Sequence, residues 1–186
     1  MTLLVVSLSV PTLRVAGDEG ELLRALDDLE SNFISFFISF AVIGRYWVAH
    51  HQMFSLLRGI DVRLLGLNLV YLAFVAFLPF PTALLGAYFE NAIAVATYSV
   101  TVALVSGMEV VLFQHAQRAG LLRVTIGADA LRWSMMLSLA PVVFFLASIP
   151  LAFVSTKLAV LVWILNAPFG AVMNRRRPAD ADAIGI

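Results

Sequence analysis

The chain has 186 residues, 61 % of them apolar and only 13 % charged. A water-soluble domain is about 45–50 % apolar and about 25 % charged, so a soluble core of this length could not hide so much apolar surface. Twelve basic residues balance twelve acidic ones and cysteine is absent, which excludes a basic footprint for nucleic acid, disulfides, thiolate metal centres and cysteine nucleophiles.

Residues 1–10 (MTLLVVSLSV) would make a helix of about 15 Å, half of a roughly 30 Å hydrocarbon core. The run lacks the basic leader and the cleavage site of a signal peptide. It reads as the outer half of a first membrane helix, with a re-entrant or interfacial stub as the alternative. Residues 11–32 carry six acids against Arg14 and Arg24. Within them, residues 21–30 pattern as a short acidic amphipathic helix with Leu22, Leu23, Leu26 and Leu29 on one side.

Five long apolar runs follow, at residues 33–57, 64–88, 92–113, 133–154 and 157–173. They are continuous and do not alternate, which predicts helices and not barrel strands. The first is interrupted by Arg45, His50 and His51, the second by Asn68 and Pro79-Phe80-Pro81, and the third carries Glu109. Arginine collects in alternate loops, at Arg58 and Arg63, at Arg118, Arg123 and Arg132, and at Arg175 to Arg177. The positive-inside rule assigns those loops to the cytoplasm. With residues 1–10 counted as a span, the fold is an all-α integral membrane protein of six helices, the first truncated in this chain, with both termini cytoplasmic. Residues 1–177 form one transmembrane domain and residues 178–186 a disordered cytoplasmic tail.

Neighbouring histidines invite a metal, but His50 and His51 project about 100° apart on a helix, and His115 has no acid within a turn in sequence. A histidine hydrogen-bonded between helices is the simpler reading. No nucleophile elbow, zinc-protease motif or phosphate-binding glycine loop is present, so neither a catalytic residue nor a cofactor is expected. Ionisable residues within spans are costly and face protein or water. Arg45 and Glu109 both fall in the cytoplasmic half of their helices, so they either pair or snorkel separately to the interface. Ser31, Ser35 and Ser39 recur at every fourth residue, as do Ser99, Ala103 and Gly107. Small residues at that spacing let helix backbones approach closely, while polar lining of a water path is the other reading of the serines.

The run from Ile43 through Tyr46-Trp47, His50-His51 and Phe54 resembles the Y-W-x-x-H-H-x-x-F signature of bacterial transmembrane protein 175 potassium channels. Leu67-Asn68-Leu69 and Leu78-Pro79-Phe80-Pro81-Thr82 resemble that family's L-N-L and L-P-F-P-T segments, and Met1 to Pro11 resembles the second half of its first helix. The resemblance extends over residues 1 to about 115 and continues beyond by helix count.

The resemblance implies a cell-membrane potassium channel subunit, a homotetramer in which four first helices line the pore. It implies that Thr2, Leu3 and Val6 face the pore as apolar constriction rings with a threonine beside them. One first helix per chain cannot enclose a path, so closed rotational symmetry is required. The resemblance implies that Trp47 and His51 belong to a polar network with the first helix, and Asn68, Arg45 and Glu109, polar residues within the spans, are the other candidates for such a network. The family's R-x-x-x-F-S-D motif belongs to the inner half of the first helix and is not in this sequence. A start downstream of the natural one, or an altered pore entrance, is expected on that account. Two other functions fit the residues: a non-conducting scaffold derived from the channel fold, and a small secondary transporter.

Overall fold

The computed structural model describes residues 11–12, 18–27, 29–178 and 181, the side chains of residues 31, 32 and 35 excepted. Among the described residues, seven helical segments run in the order α1 (Glu19–Asp27), α2 (Glu30–Ser55), α3 (Val62–Phe77), α4 (Pro79–Ala87), α5 (Ala92–Arg118), α6 (Ala128–Ala152) and α7 (Thr156–Arg175). Among the described residues, four stretches are long and apolar enough to cross a membrane: Val62–Ala87, Ala92–Arg118, Ala128–Ala152 and Thr156–Arg175. The 26-residue α2 has the length to do the same, about 39 Å.

The acidic helix α1 starts and ends earlier than its leucine pattern predicts. Asp18 Oδ1 caps it by accepting from the Glu21 N–H at 3.0 Å, and acids in its first turn suit the helix dipole. It stops at Asp27, and Leu29 is the N-cap of α2 instead of a member of the α1 face. No residue of α1 is buried.

The third span is not one straight helix. Pro79 and Pro81 supply no N–H, so the carbonyls four residues before each lose their helical donors. The helix breaks at Leu78, which is fully buried. The Leu78 carbonyl then accepts from both the Thr82 N–H at 3.2 Å and the Thr82 hydroxyl at 2.9 Å.

Helix α5 is the centre of the bundle and packs against α3, α4, α6 and α7. Val95, Val105 and Leu112 on it are wholly enclosed. Val105 and Leu112 join a core with Ile43 and Tyr46 from α2 and Leu64 and Tyr71 from α3, and Val95 packs in a second cluster with Ala152 of α6 and Ala159 of α7. Outward faces carry Leu69, Val143, Leu161 and Ile164 exposed, as lipid-facing surfaces should. Of the small-residue stripe, Ser99 and Ala103 are buried. Gly107 departs from the expectation of close approach, because a Cβ there would meet nothing within 4 Å. Ser39 is buried, and the side chains of Ser31 and Ser35 lie outside the described residues.

Helix α5 runs on to Arg118, beyond its apolar stretch, and Gly120 stops it. Gly120 takes φ 65°, with Leu121 N bonded to the Ala116 carbonyl at 2.8 Å and Gly120 N to the Gln117 carbonyl at 3.1 Å. That is the paired 6→1 and 5→2 closure of a left-handed C-terminal cap. The chain beyond it clasps the α2–α3 turn: Arg58 N donates to the Leu121 carbonyl, and Arg123 N to the Leu56 carbonyl, each at 2.8 Å. Arg123 Nε adds a bond to the Leu57 carbonyl at 2.7 Å. At the C-terminal end Ala181 is buried against Ala130 and Trp133, while residues 179–180 and 182–186 lie outside the described residues.

Candidate functional site

A polar seam runs where α2, α3 and α5 meet. Tyr46 and His50 sit one turn apart on α2, Asn68 and Tyr71 one turn apart on α3, and Ser106 and Glu109 one turn apart on α5. Such spacing stacks side chains along one face of each helix. The Tyr46 hydroxyl meets the Ser106 hydroxyl at 2.8 Å. The Tyr71 hydroxyl donates to the Tyr46 carbonyl at 3.1 Å. His50 Nε2 lies 2.7 Å from Asn68 Oδ1, and its ring stacks on Tyr71 with centroids 5.1 Å apart and planes 5° from parallel.

Beside the seam, between α2, α5, α6 and α7, is a cavity of about 670 Å³ whose lining includes Arg45, His50, Glu109, Ser134, Asn166 and Asn174. Arg45 and Glu109 thus border one space from two helices. The Arg45 guanidinium lies 5.6 Å from the centroid of the Tyr46 ring, and Glu109 is in electrostatic contact with Arg45 and the Tyr71 hydroxyl.

Trp47 and His51 occupy a different face of α2. Their rings stack at 5.4 Å and 17°, and Trp47 is 58 % exposed. Asn68 is bonded to His50, not to this pair. Within the Y-W-x-x-H-H-x-x-F run, Tyr46, His50 and Phe54 therefore face the bundle, and Trp47 and His51 face out. The neighbouring histidines do not converge, and among the described residues no group of three or more His, Cys, Asp or Glu is placed to hold a metal.

Two junctions escape any reading of local spacing. Ser148 on α6 accepts from Trp163 Nε1 on α7 at 2.8 Å and meets Ser99 on α5 at 2.9 Å. Asp61 caps α3 through the Leu64 N–H at 2.6 Å and reaches His115 Nε2 at 2.9 Å. The Leu64 bond is the main cause holding the Asp61 carboxyl below the usual aspartate range, and the His115 bond adds to it against partial burial. Ser99 stands out as a small residue, but nothing in the sequence pairs it with Ser148, or Asp61 with His115.

Residues 1–79 match the model of a family described as the endosomal/lysosomal potassium channel TMEM175. A potassium channel of Streptomyces collinus is 36 % identical over 124 residues, 64 % of this chain and 59 % of that protein. One from Chamaesiphon minutus is 35 % identical over 122 residues, 64 % of this chain and 60 % of that protein. The crystal structure of a lysosomal potassium-selective channel TMEM175 homologue from Chamaesiphon minutus aligns at a TM-score of 0.65 and 29 % identity, over 93 % of this chain and 89 % of that one. The chain is similar to the TMEM175 family in its first 79 residues and shares the fold of that channel homologue.

It is accordingly an all-α, multi-pass membrane protein, in contact with lipid along its outer faces. Its aligned part spans about three fifths of the two potassium-channel relatives. The L-P-F-P-T segment is the kink at Leu78, and the Y-W-x-x-H-H-x-x-F run divides between the seam and the outer face of α2. Thr2, Leu3 and Val6, the residues expected at the pore, lie outside the described residues.

Proposed function

We propose that the chain is the subunit of a potassium-permeable ion channel in the cell membrane, with both termini cytoplasmic and potassium as the permeant ion. Its likeness to a potassium-selective TMEM175 homologue along 93 % of its length is the observation that carries this reading. Potassium-channel relatives and the alternation of arginine between loops support it further. Four copies assemble around an axis, because one first helix cannot enclose a path and closed symmetry supplies the others.

In this reading Thr2, Leu3 and Val6 line the pore. Rings of apolar side chains close a pore by expelling water, and their width and hydration decide which ion passes. Helices α2 to α7 form the frame. The seam at Tyr46, His50, Asn68 and Tyr71 fixes α2 against α3 and α5, and Trp47 and His51 offer a stacked polar face to the first helix.

The test is ion flux from the full chain reconstituted in liposomes, with an unreconstituted blank. Passive potassium flux that exceeds sodium flux is the expected result. The chain has no cysteine, so Leu3→Cys and Val6→Cys each introduce a unique thiol, and block by a thiol reagent is expected at both. Absence of flux from a folded oligomer would leave a non-conducting scaffold, and saturating or proton-coupled flux would indicate a transporter.

A further inference from the structure

Arginine gathers at the end of the bundle that holds the α2–α3 turn, the α5–α6 loop and the end of α7. Among the described residues the carboxylates there are Asp61 and Asp129. Both are engaged, Asp61 by the Leu64 N–H and His115, and Asp129 by Arg132 at 4.0 Å. Among the described residues no carboxylate therefore pairs with Arg58 or Arg123, and both arginines are exposed.

The clasp between the two turns sets these cations near each other. Leu57 and Leu122 face each other in an isolated antiparallel bridge, whose two hydrogen bonds come from the backbone N–H groups of Arg58 and Arg123. The two arginines thus sit diagonally across the bridge, about 7–8 Å apart in such a ladder. Arg58 Nη2 lies 3.7 Å from where a Cβ on Gly120 would be, over the C-terminal end of α5, whose dipole offsets only about half a charge. Arg123 commits Nε to the Leu57 carbonyl and keeps its two terminal nitrogens as donors. Guanidiniums so placed repel each other, and an anion with several oxygens between them relieves that repulsion.

The neighbouring side chains identify the kind of anion. Ile60 is 60 % exposed and Val62 87 % exposed, and Val62 opens a stretch long and apolar enough to cross a membrane. A soluble anion would leave both apolar side chains in water. At a membrane surface they enter the acyl boundary while the guanidiniums stay with the phosphates. We propose that Arg58 and Arg123 bind the headgroup phosphate of an anionic phospholipid, with Ile60 and Val62 seated among its acyl chains. With two cations and no spare carboxylate beside them, the site repels a choline cation, so a headgroup of net negative charge is preferred. The proposal concerns lipid contact and not conduction, so its failure leaves the channel reading untouched.

The test takes the full chain in neutral detergent, offers phosphatidylglycerol and phosphatidylcholine in equal parts, and counts the retained lipid by native mass spectrometry. The expected result is phosphatidylglycerol retained several-fold over phosphatidylcholine, with the preference shrinking as salt is raised. Arg58→Gln and Arg123→Gln should each cut that preference about fivefold, the worth of one arginine at an anionic surface. Arg123→Gln also removes the bond to the Leu57 carbonyl, so Arg58→Gln decides the matter if that variant misfolds, as judged by helix content. The double variant Arg175→Gln with Arg176→Gln removes two charges from the same end of the bundle and should leave the preference nearly unchanged. Ile60→Ser with Val62→Ser keeps every charge and should weaken retention of phosphatidylglycerol. Three results would overturn the proposal: no preference in the wild-type chain, an equal loss in Arg58→Gln and in the α7 double variant, or unchanged retention in Ile60→Ser with Val62→Ser. The second would mean a diffuse surface charge, and the third a soluble anion in place of a lipid.

Discussion

His50 Nε2 and Asn68 Oδ1 lie 2.7 Å apart and join α2 to α3 inside the apolar bundle. The acceptor is an amide oxygen, so the imidazole N–H is the donor and the tautomer of His50 is set by its neighbour. The Tyr71 ring, parallel to the imidazole at 5.1 Å, holds the plane in which that donor points. The bond is therefore oriented from two sides.

Hydrogen bonds between membrane helices are worth about 0.6–2 kcal/mol. Asn68→Leu removes the acceptor and leaves the His50 donor stranded, so it should destabilise the protein by about 1–2 kcal/mol. The double variant His50→Phe with Asn68→Leu should cost less than the two single changes added together. Thermal unfolding in detergent micelles measures all three, and strict additivity would show that the pair is not coupled.

Ser148 poses a question of proton bookkeeping. Its hydroxyl donates its one proton to the Phe145 carbonyl at 2.6 Å, which leaves two lone pairs for Ser99 at 2.9 Å and Trp163 Nε1 at 2.8 Å. Ser148→Ala strands two buried donors and should cost about 2–4 kcal/mol, whereas Ser99→Ala removes a donor and should cost about 1 kcal/mol. The same unfolding assay ranks them, with the Trp163 emission shifting only in Ser148→Ala. Equal costs would mean that Ser148 is not the hub.

The helical class and the span positions were legible because apolar runs of membrane length have few alternatives. The ends were less so. Helix α5 passes its apolar stretch to Arg118 because nothing stops it before Gly120, and that glycine was a readable signal. Leu29 continues the leucine pattern of α1 yet caps α2, since apolar spacing does not register a turn. Reading His50 as a histidine hydrogen-bonded between helices agrees with its bond to Asn68, but the partner depends on how α2 crosses α3. Asp61 and His115 stand 54 residues apart, and only the clasp between the two turns brings them together.

Gly120 gives a sharp test of conformation against packing. A Cβ there would have Arg58 Nη2 as its nearest neighbour at 3.7 Å, an ordinary contact, so no clash arises. Its φ of 65° is the left-handed region, which costs a residue with a Cβ about 1–2 kcal/mol. Gly120→Ala should therefore lose about 1 kcal/mol, and Gly120→Asn should lose less, because asparagine tolerates that conformation. Loss of equal size in both would point to packing as the cause.

Asp61 predicts an acid limb in the stability profile. It caps α3 and binds His115 Nε2 at 2.9 Å, and its carboxyl is held below the usual range first by the Leu64 N–H bond and then by His115. The folded value lies below the unfolded one, so the carboxylate contributes its full stability above the unfolded value of about 3.9. That contribution drains away as the pH falls through the folded value. Thermal scans from pH 6 to pH 3 should show the melting temperature of the wild-type protein dropping at the acid end. Asp61→Ala should start lower at pH 6 and fall less steeply, so that the two curves converge towards pH 3. Curves that stay parallel over the whole interval would show that the cap and the His115 bond survive protonation, and that the coupling of the α2–α3 turn to α5 does not depend on the charge of Asp61.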